Sequence, residues 1–475
     1  LIGDMPIQLE SLTKNWRRWA ERTAWFRASF LPEQNYLIFL SVAIGILTGL
    51  GSVAFIKLLQ AMTRFAREQM TVLSGVFGPA ELLLLPALGG LLAGPIIYRF
   101  AREARGHGVP EVMTALATKG GRIRPRVVLV KVIASALTIG FGGSAGREGP
   151  MIQIGSTIGS TIGQWARMSP AKLRTLVACG AAGGIAATFN APIAGAIFSM
   201  EVLMGRLAAD FLLVLLTSLS SCFVARHFLG NYPAFVAPAY ELVSATELPL
   251  YFLLGIVAGL AARLYVRLLY KSEDLFERWT FPEYLKPAVG GLAMGVLLRF
   301  FPEIYGTGFP AMEAALWVRL SWSLLICLFL AELAGNCLTL GSGGSGGVFA
   351  PSLYMGAMLG GAFGMTMHAL LPHVTAGSGA YAMVGMAAMF AAAAKAPTTS
   401  ILILFEMTND YRIILPLMMA TVSSVVLSNH HSPFSIYTLK LHLRGVRFPL
   451  GEKGEKEEIQ KTKDRRATPA VQAKT

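Results

Sequence analysis

Residues 142–150 read GGSAGREGP, an arginine and a glutamate side by side among four glycines, flanked by apolar segments. Two other stretches share the pattern of glycines running into a proline: GHGVP at 106–110 and GGVFAP at 346–351. Proline suits the first turn of a helix, so each stretch predicts a helix start whose leading backbone N–H groups lack partners within the helix. Those donors, together with the positive end of the helix dipole, attract anions. Three such starts converging would hold a small anion without a full positive charge, weakly enough to release it. For any one stretch the competing explanation is close packing at the glycines and a proline that merely begins a helix. For Glu148 it is a structural carboxylate satisfied by Arg147 or by another neighbour.

The elements that must position these groups are membrane helices. Hydrophobic residues make up 54% of the 475, charged residues only 14%, and the mean hydropathy is +0.56. That balance predicts an integral membrane protein. A crossing helix takes about 20 apolar residues, and roughly a dozen stretches offer that, among them YLIFLSVAIGILTGLGSVAFIKLL from Tyr36 and LYFLLGIVAGLAARLYVRLLY from Leu250. The expected fold is all-α and polytopic, lodged in the lipid bilayer, with its 50 glycines and 20 methionines serving close helix contacts. Irregular backbone at membrane depth is tolerated only where protein buries it or where it lines a watery cavity. The three glycine–proline breaks are therefore where a site is expected.

The net charge of +14 comes from basic residues in short flanks, such as KNWRRWAERTAWFR at 14–27, ARMSPAKLR at 166–174 and the tail from Lys440. A positive-inside bias explains them and places both termini in the cytoplasm, in the plasma (inner) membrane of a prokaryote; no nucleic-acid fold accompanies the charge. Cys179, Cys222, Cys327 and Cys337 stand singly in apolar sequence and read as small core residues. No metal or cofactor is expected. The first 35 residues carry too many charges for a secretory signal, and because the chain opens at Leu1 native residues are expected to precede it. Past Pro449 the composition predicts a disordered, charged cytoplasmic tail.

The two halves match. LPALGGLLAG around Pro86 recurs as KPAVGGLAMG around Pro287, GHGVP recurs as GTGFP at 306–310, GSAGREGP with Pro150 recurs as GSGGSGGVFAP with Pro351, and NAPIAGAIFSME with Pro192 recurs as KAPTTSILILFE with Pro397. The offsets are 201, 200, 201 and 205, in unchanged order. Two inverted repeats meeting at broken helices are a common transporter plan. The predicted organisation is an N-terminal cytoplasmic, amphipathic segment at 1–35, membrane repeats at 36–232 and 247–445, and the tail at 446–475.

GHGVP, GREGP and GGVFAP, in this order, with the late tyrosine of SIYTLKL, resemble the signature segments of the CLC chloride channels and chloride/proton exchangers. The resemblance covers residues from about 36 to 445. It implies a CLC-type fold of tilted and broken helices and a homodimer with one anion pathway per subunit. The tandem CBS domains that many members append are not expected in this chain, which stops at Thr475. It also implies that Glu148 is the gate. Ionised, its carboxylate would mimic the permeant anion at the helix starts; protonated, it would lose that attraction and swing away. Anion-binding roles carry over to His107, Gly108, Val109, Gly149, Val348, Phe349, Ala350 and Tyr437, with Gly347 on the pore wall, and positive potential to Arg147 and Lys131. For Lys131 the alternative is snorkelling to an interface.

The repeat separates these roles further. Glu148 has Phe349 as its mate, so the fold itself does not require an acid there. Glu201 has Glu406, which favours a structural role in accepting backbone hydrogen bonds over one in the proton pathway. Family exchangers carry a second glutamate just after that position, and here it is Val202, which holds no proton. Where the family usually has a serine, this chain has His107. Its ring either faces away while backbone donors serve the anion, or donates at the inner constriction, or accepts protons in place of the missing acid. The expected function is CLC-type transport of chloride or a similar small anion. Val202 favours a channel-like or weakly coupled protein, with chloride/proton antiport as the alternative. An enzyme is the rival from another class, but Ser144 in GGSAG and Ser345 in GGSGG lack the strand-to-helix turn that gives GxSxG its meaning. A carrier of organic solutes would need polar side chains that these spans lack.

Overall fold

The computed structural model describes residues 33–77, 81–205, 210–231, 238, 240, 242–408 and 411–448. Nearly all of the expected N-terminal segment and of the charged tail lies outside them. Most of the described residues are helical, about four in five. The first half contributes α1 (Glu33–Phe77), α2 (Glu81–Phe100), α3 (Val109–Thr118), α4 (Arg126–Gly140), α5 (Glu148–Trp165), α6 (Pro170–Phe189), α7 (Pro192–Phe198) and α8 (Phe211–Leu229). The second contributes α9 (Leu248–Arg278), α10 (Lys286–Phe300), α11 (Phe309–Leu316), α12 (Trp322–Gly341), α13 (Phe349–Leu370), α14 (Ser378–Ala394), α15 (Pro397–Thr408) and α16 (Ile414–His431), followed by a short α17 (Thr438–Leu443). Each helix of the first half thus has its mate eight labels on.

Packing repeats with the sequence. α5 lies on α6 as α13 lies on α14, α1 meets α8 as α9 meets α16, and the halves join where α2 crosses α10 and α7 meets α15. Small residues permit this. A side chain at Gly155 would overlap the Gly180 carbonyl and one at Gly180 the Gly155 carbonyl, and Gly356 and Gly385 stand in the same relation. Backbone-to-backbone approach of this kind gains dispersion contacts where lipid supplies no hydrophobic drive between helices. Between the halves, Gly90 abuts Pro287 and Gly291 abuts Pro86. Asn190 and Lys395, at matching positions, both turn into the left-handed region to end α6 and α14 ahead of a proline-started helix.

Among the described residues, five helical stretches are long and apolar enough to cross a membrane: Glu33–Glu68, Leu82–Phe100, Phe211–Leu229, Ala245–Arg278 and Trp322–Gly341. The dozen expected from the sequence is therefore too simple a count. Helices such as α5, with its glycines, serines and threonines, are buried among other helices over most of their length and need no lipid-facing apolar surface. Exposed apolar side chains, among them Phe39, Leu129, Leu212, Phe223 and Val426, point outward from the helices.

Candidate functional site

The three breaks are joined backbone to backbone. Gly106 N–H donates to the Gly344 carbonyl at 2.9 Å and Gly346 N–H to the Gly106 carbonyl at 3.3 Å; Gly146 and Gly347 exchange two bonds, at 2.9 and 2.6 Å. Gly149, second residue of α5, has no room for a side chain, because a Cβ there would overlap the His107 carbonyl and sit 2.9 Å from Gly347 Cα. The starts of α3, α5 and α13 consequently meet at one place. Gly108, at φ +79°, sets the turn into α3, which begins at Val109 and Pro110.

Glu148 is the first residue of α5 and is fully buried. Its Oε2 accepts the N–H of Ala350, second residue of α13, at 3.4 Å, while its Oε1 has no hydrogen-bond partner among the described residues. A carboxylate oxygen thus lies on a helix-terminal donor that has no partner within its own helix, as an anion would. A side chain at Gly146 would collide with that oxygen. Arg147 does not satisfy Glu148 through an ion pair. Its guanidinium lies over the Phe309 ring at 4.8 Å, its Nη2 donates to the Thr188 carbonyl at 3.2 Å, and it lines a cavity of about 530 Å³ with Arg64, Arg67 and Thr307. Val348, Phe349 and Ala350 are buried at the start of α13, with the Phe349 ring held between Phe189 at 4.9 Å and Phe390 at 4.0 Å.

Tyr437 comes in from the far end of the chain. Buried at the start of α17, its ring lies 6.0 Å from that of His107 and 6.4 Å, edge-on, from that of Phe198. His107 is buried too, with Nε2 at 3.5 Å from the Tyr270 hydroxyl and Nδ1 without a partner among the described residues. Tyr270 in turn donates to the Ile436 carbonyl, and Lys440 pairs with Glu273 at 3.0 Å beside Gly106. Lys131 does not snorkel. Its buried ammonium donates to the carbonyls of Ala104 at 3.0 Å and Gly106 at 2.7 Å, bracing the break from behind.

Glu201 lies on a wide π-type turn, Ser199–Met204, that continues α7 and also holds the buried Val202. Its carboxylate accepts the N–H groups of Thr398 at 3.1 Å and Thr399 at 2.7 Å, plus the Thr399 hydroxyl at 2.7 Å, at the start of α15. Glu406 reciprocates by accepting the N–H groups of Ile193 at 3.1 Å and Ala194 at 2.7 Å at the start of α7. Each half caps a helix of the other, and these bonds tie Glu201 to α15 rather than to the three breaks. Glu201→Ala and Glu406→Ala are each expected to cost about 1.5–3 kcal/mol, the scale of hydrogen bonds to a charged group. A fall of several degrees in the melting temperature of either purified variant would register it; unchanged melting would contradict the cap.

Several residues at the site escape motif reading. Tyr270, Phe189 and Phe390 lie in ordinary apolar sequence, Phe198 lies within the repeated NAPIAGAIFSME without a signal of its own, and Gln153 is buried with its Oε1 against Gly108. The repeat is the one signal that could have found Gln153, because its mate Tyr354 stands against Gly308 in the same way.

With the geometry in place, comparison with known proteins gives a consistent result. Residues 89–429 match the voltage gated chloride channel family. The chain is 37% identical over 364 residues to a putative chloride channel protein ClcB-like of Ralstonia nicotianae, covering 76% of this chain and 85% of that relative. It is 35% identical over 410 residues to the H(+)/Cl(-) exchange transporter ClcA of Salmonella agona, covering 82% and 85%. Among solved structures, a slow cyanobacterial Cl-/H+ antiporter superposes with a TM-score of 0.80 at 27% identity, covering 88% of this chain and 99% of the other. A CLC-type fluoride/proton antiporter shares the fold at a TM-score of 0.73 and 24% identity, covering 86% and 98%.

Proposed function

The chain belongs to the voltage gated chloride channel family and is an integral membrane protein of CLC-type anion transport; from that premise we propose that it exchanges chloride for protons, with Glu148 as the residue where the two paths meet. The observation that carries this reading is the buried Glu148 carboxylate on the Ala350 N–H at the start of α13. When ionised, the carboxylate competes with chloride for the α13 start. When it takes up a proton it loses its charge and its hold on that start, and chloride enters in its place. Return of the carboxylate expels chloride and releases the proton. Val348, Phe349 and Ala350 with Gly108 and Val109 line the anion's way, and His107, Tyr437 and Tyr270 form its inner constriction.

Val202 drew the sequence reading toward a channel-like or weakly coupled protein. Exchange is the better supported reading, because relatives named as exchangers align over most of the chain and this chain keeps Glu148. The proton's inner route then runs without an acid at Val202. His107, with its unpartnered Nδ1 beside Tyr437, supports a route on that side. The basic flanks and the family resemblance further support a homodimer with cytoplasmic termini in a prokaryotic plasma membrane. Current recorded across a planar bilayer tests the exchange. With equal chloride on both sides, a pH gradient should shift the reversal potential, and a reversal potential indifferent to pH would reject exchange.

A further inference from the structure

Two stretches ahead of the breaks align without a gap, KVIASALTIGFGGSAG at 131–146 and ELAGNCLTLGSGGSGG at 332–347. Lys131 on α4 thereby has Glu332 on α12 as its mate, Ser135 has Asn336, and Ser345 has Ser144. Each half builds a polar cluster from these positions. In one, Lys131 holds the carbonyls of Ala104 and Gly106, while the Ser345 hydroxyl donates to the Ala104 carbonyl at 2.7 Å and meets the Ser135 hydroxyl at 2.9 Å. In the other, the Ser144 hydroxyl donates to Glu332 Oε1 at 2.8 Å, Asn336 Nδ2 donates to the Ser144 carbonyl at 2.9 Å, and the Tyr265 hydroxyl donates to Asn336 Oδ1 at 2.6 Å.

Glu332 is 1% exposed, and its Oε2 is buried without a partner among the described residues. The titratable groups that interact with it are hydroxyls, Tyr265 from α9 and Tyr354 from α13, and Tyr354 in turn senses Glu303 in the Pro302–Ile304 turn. α10 presents Met294 against Gly335 on α12. No lysine, arginine or histidine is paired with Glu332 among the described residues. A buried carboxylate without a cation is costly to keep charged, and the oxygen that receives no hydrogen bond is the one placed to bear a proton. The repeat points the same way. By the repeat, the carbonyls of Ile304 and Gly306 correspond to those held by Lys131, and a side chain that makes the equivalent bonds must be a donor. An ionised carboxylate has no donor; a neutral acid has one.

We propose that Glu332 is a proton-binding positioning residue. It holds a proton at neutral pH, takes the Ser144 hydroxyl on Oε1, and donates from Oε2 into the turn at 304–306. In doing so it braces the break that leads into Glu148, which is already tied to that turn by the 3.1 Å bond from Ala145 N–H to the Gly306 carbonyl. This assignment goes beyond the exchange reading and does not depend on it.

Infrared spectra of the reconstituted protein test it directly. Wild type minus Glu332→Gln at neutral pH should show the stretching band of a protonated carboxyl, shifted in heavy water; absence of that band would overturn the proposal. Transport gives a second readout. Glu332→Gln keeps both an acceptor for the Ser144 hydroxyl and a donor at this position and should retain chloride transport within about threefold, whereas Glu332→Leu leaves the Ser144 hydroxyl unmet and should lose about tenfold. Transport kept in the leucine variant or lost in the glutamine variant would likewise overturn it.

Discussion

Glu148→Gln is expected to keep chloride flux and to bring proton movement down to background, at least about tenfold below wild type, because an amide has no site that takes up and gives back a proton in this range. The amide is nearly the same size as the carboxyl, so the tight surroundings at Gly146 and Ala350 survive the change. What changes is the charge. If Glu148 gates the path as proposed, its carboxylate competes with chloride for the α13 start and an amide does so poorly, so the variant should also lose the pH dependence of flux expected of wild type. Chloride efflux and proton uptake followed together in vesicles, from acid to neutral pH, check both parts. A Gln variant that still moved protons with chloride would place the coupling elsewhere, and steep residual pH dependence would point to His107.

The second large effect falls on folding. Gly155→Val is expected to abolish recovery of folded protein, since its Cβ would overlap the Gly180 carbonyl of the facing helix, and a backbone atom cannot move aside as a side chain can. Separating α5 from α6 would carry off Glu148, the first residue of α5. Overpacking usually costs about 1–3 kcal/mol and more where backbone must shift. Gly51→Ala is the control: the nearest atom to its Cβ is Ile158 Cδ1 at 3.5 Å, an ordinary contact, and a glycine replaced by alanine inside a helix gains up to about 1 kcal/mol. Size-exclusion profiles after detergent extraction should show a folded species for the alanine variant and aggregate for the valine variant. Equal profiles would contradict the crossing described above.

The breaks and the repeat were readable because both are written in glycine and proline, whose backbone effects are local. The pairing of Glu201 with Glu406 was readable as a symmetry, and its physical content, each acid capping the other half's helix, needed the fold. Contacts between segments distant in the chain were not legible. Nothing in the sequence brings Tyr270 to His107, or sandwiches Phe349 between Phe189 and Phe390, because apolar helices in lipid show no amphipathic stripe to tell which face meets protein. Lys131 illustrates the same limit: in the sequence it read equally as positive potential near the pathway or as snorkelling to an interface, and only the approach of the Ala104 and Gly106 carbonyls reveals a buried ammonium. Val202 favoured the channel-like reading because one missing acid was weighed as if it were the sole route for a proton, while relatives named as exchangers favour the alternative.

The central claim, that chloride and protons share Glu148 in obligatory exchange, meets its most direct test in sealed vesicles holding purified protein, with a chloride gradient imposed and an internal pH probe. The account predicts that chloride running down its gradient drives protons uphill, and that Glu148→Gln vesicles pass chloride without doing so. Chloride that relaxes to its own equilibrium in wild type with no proton movement would contradict it.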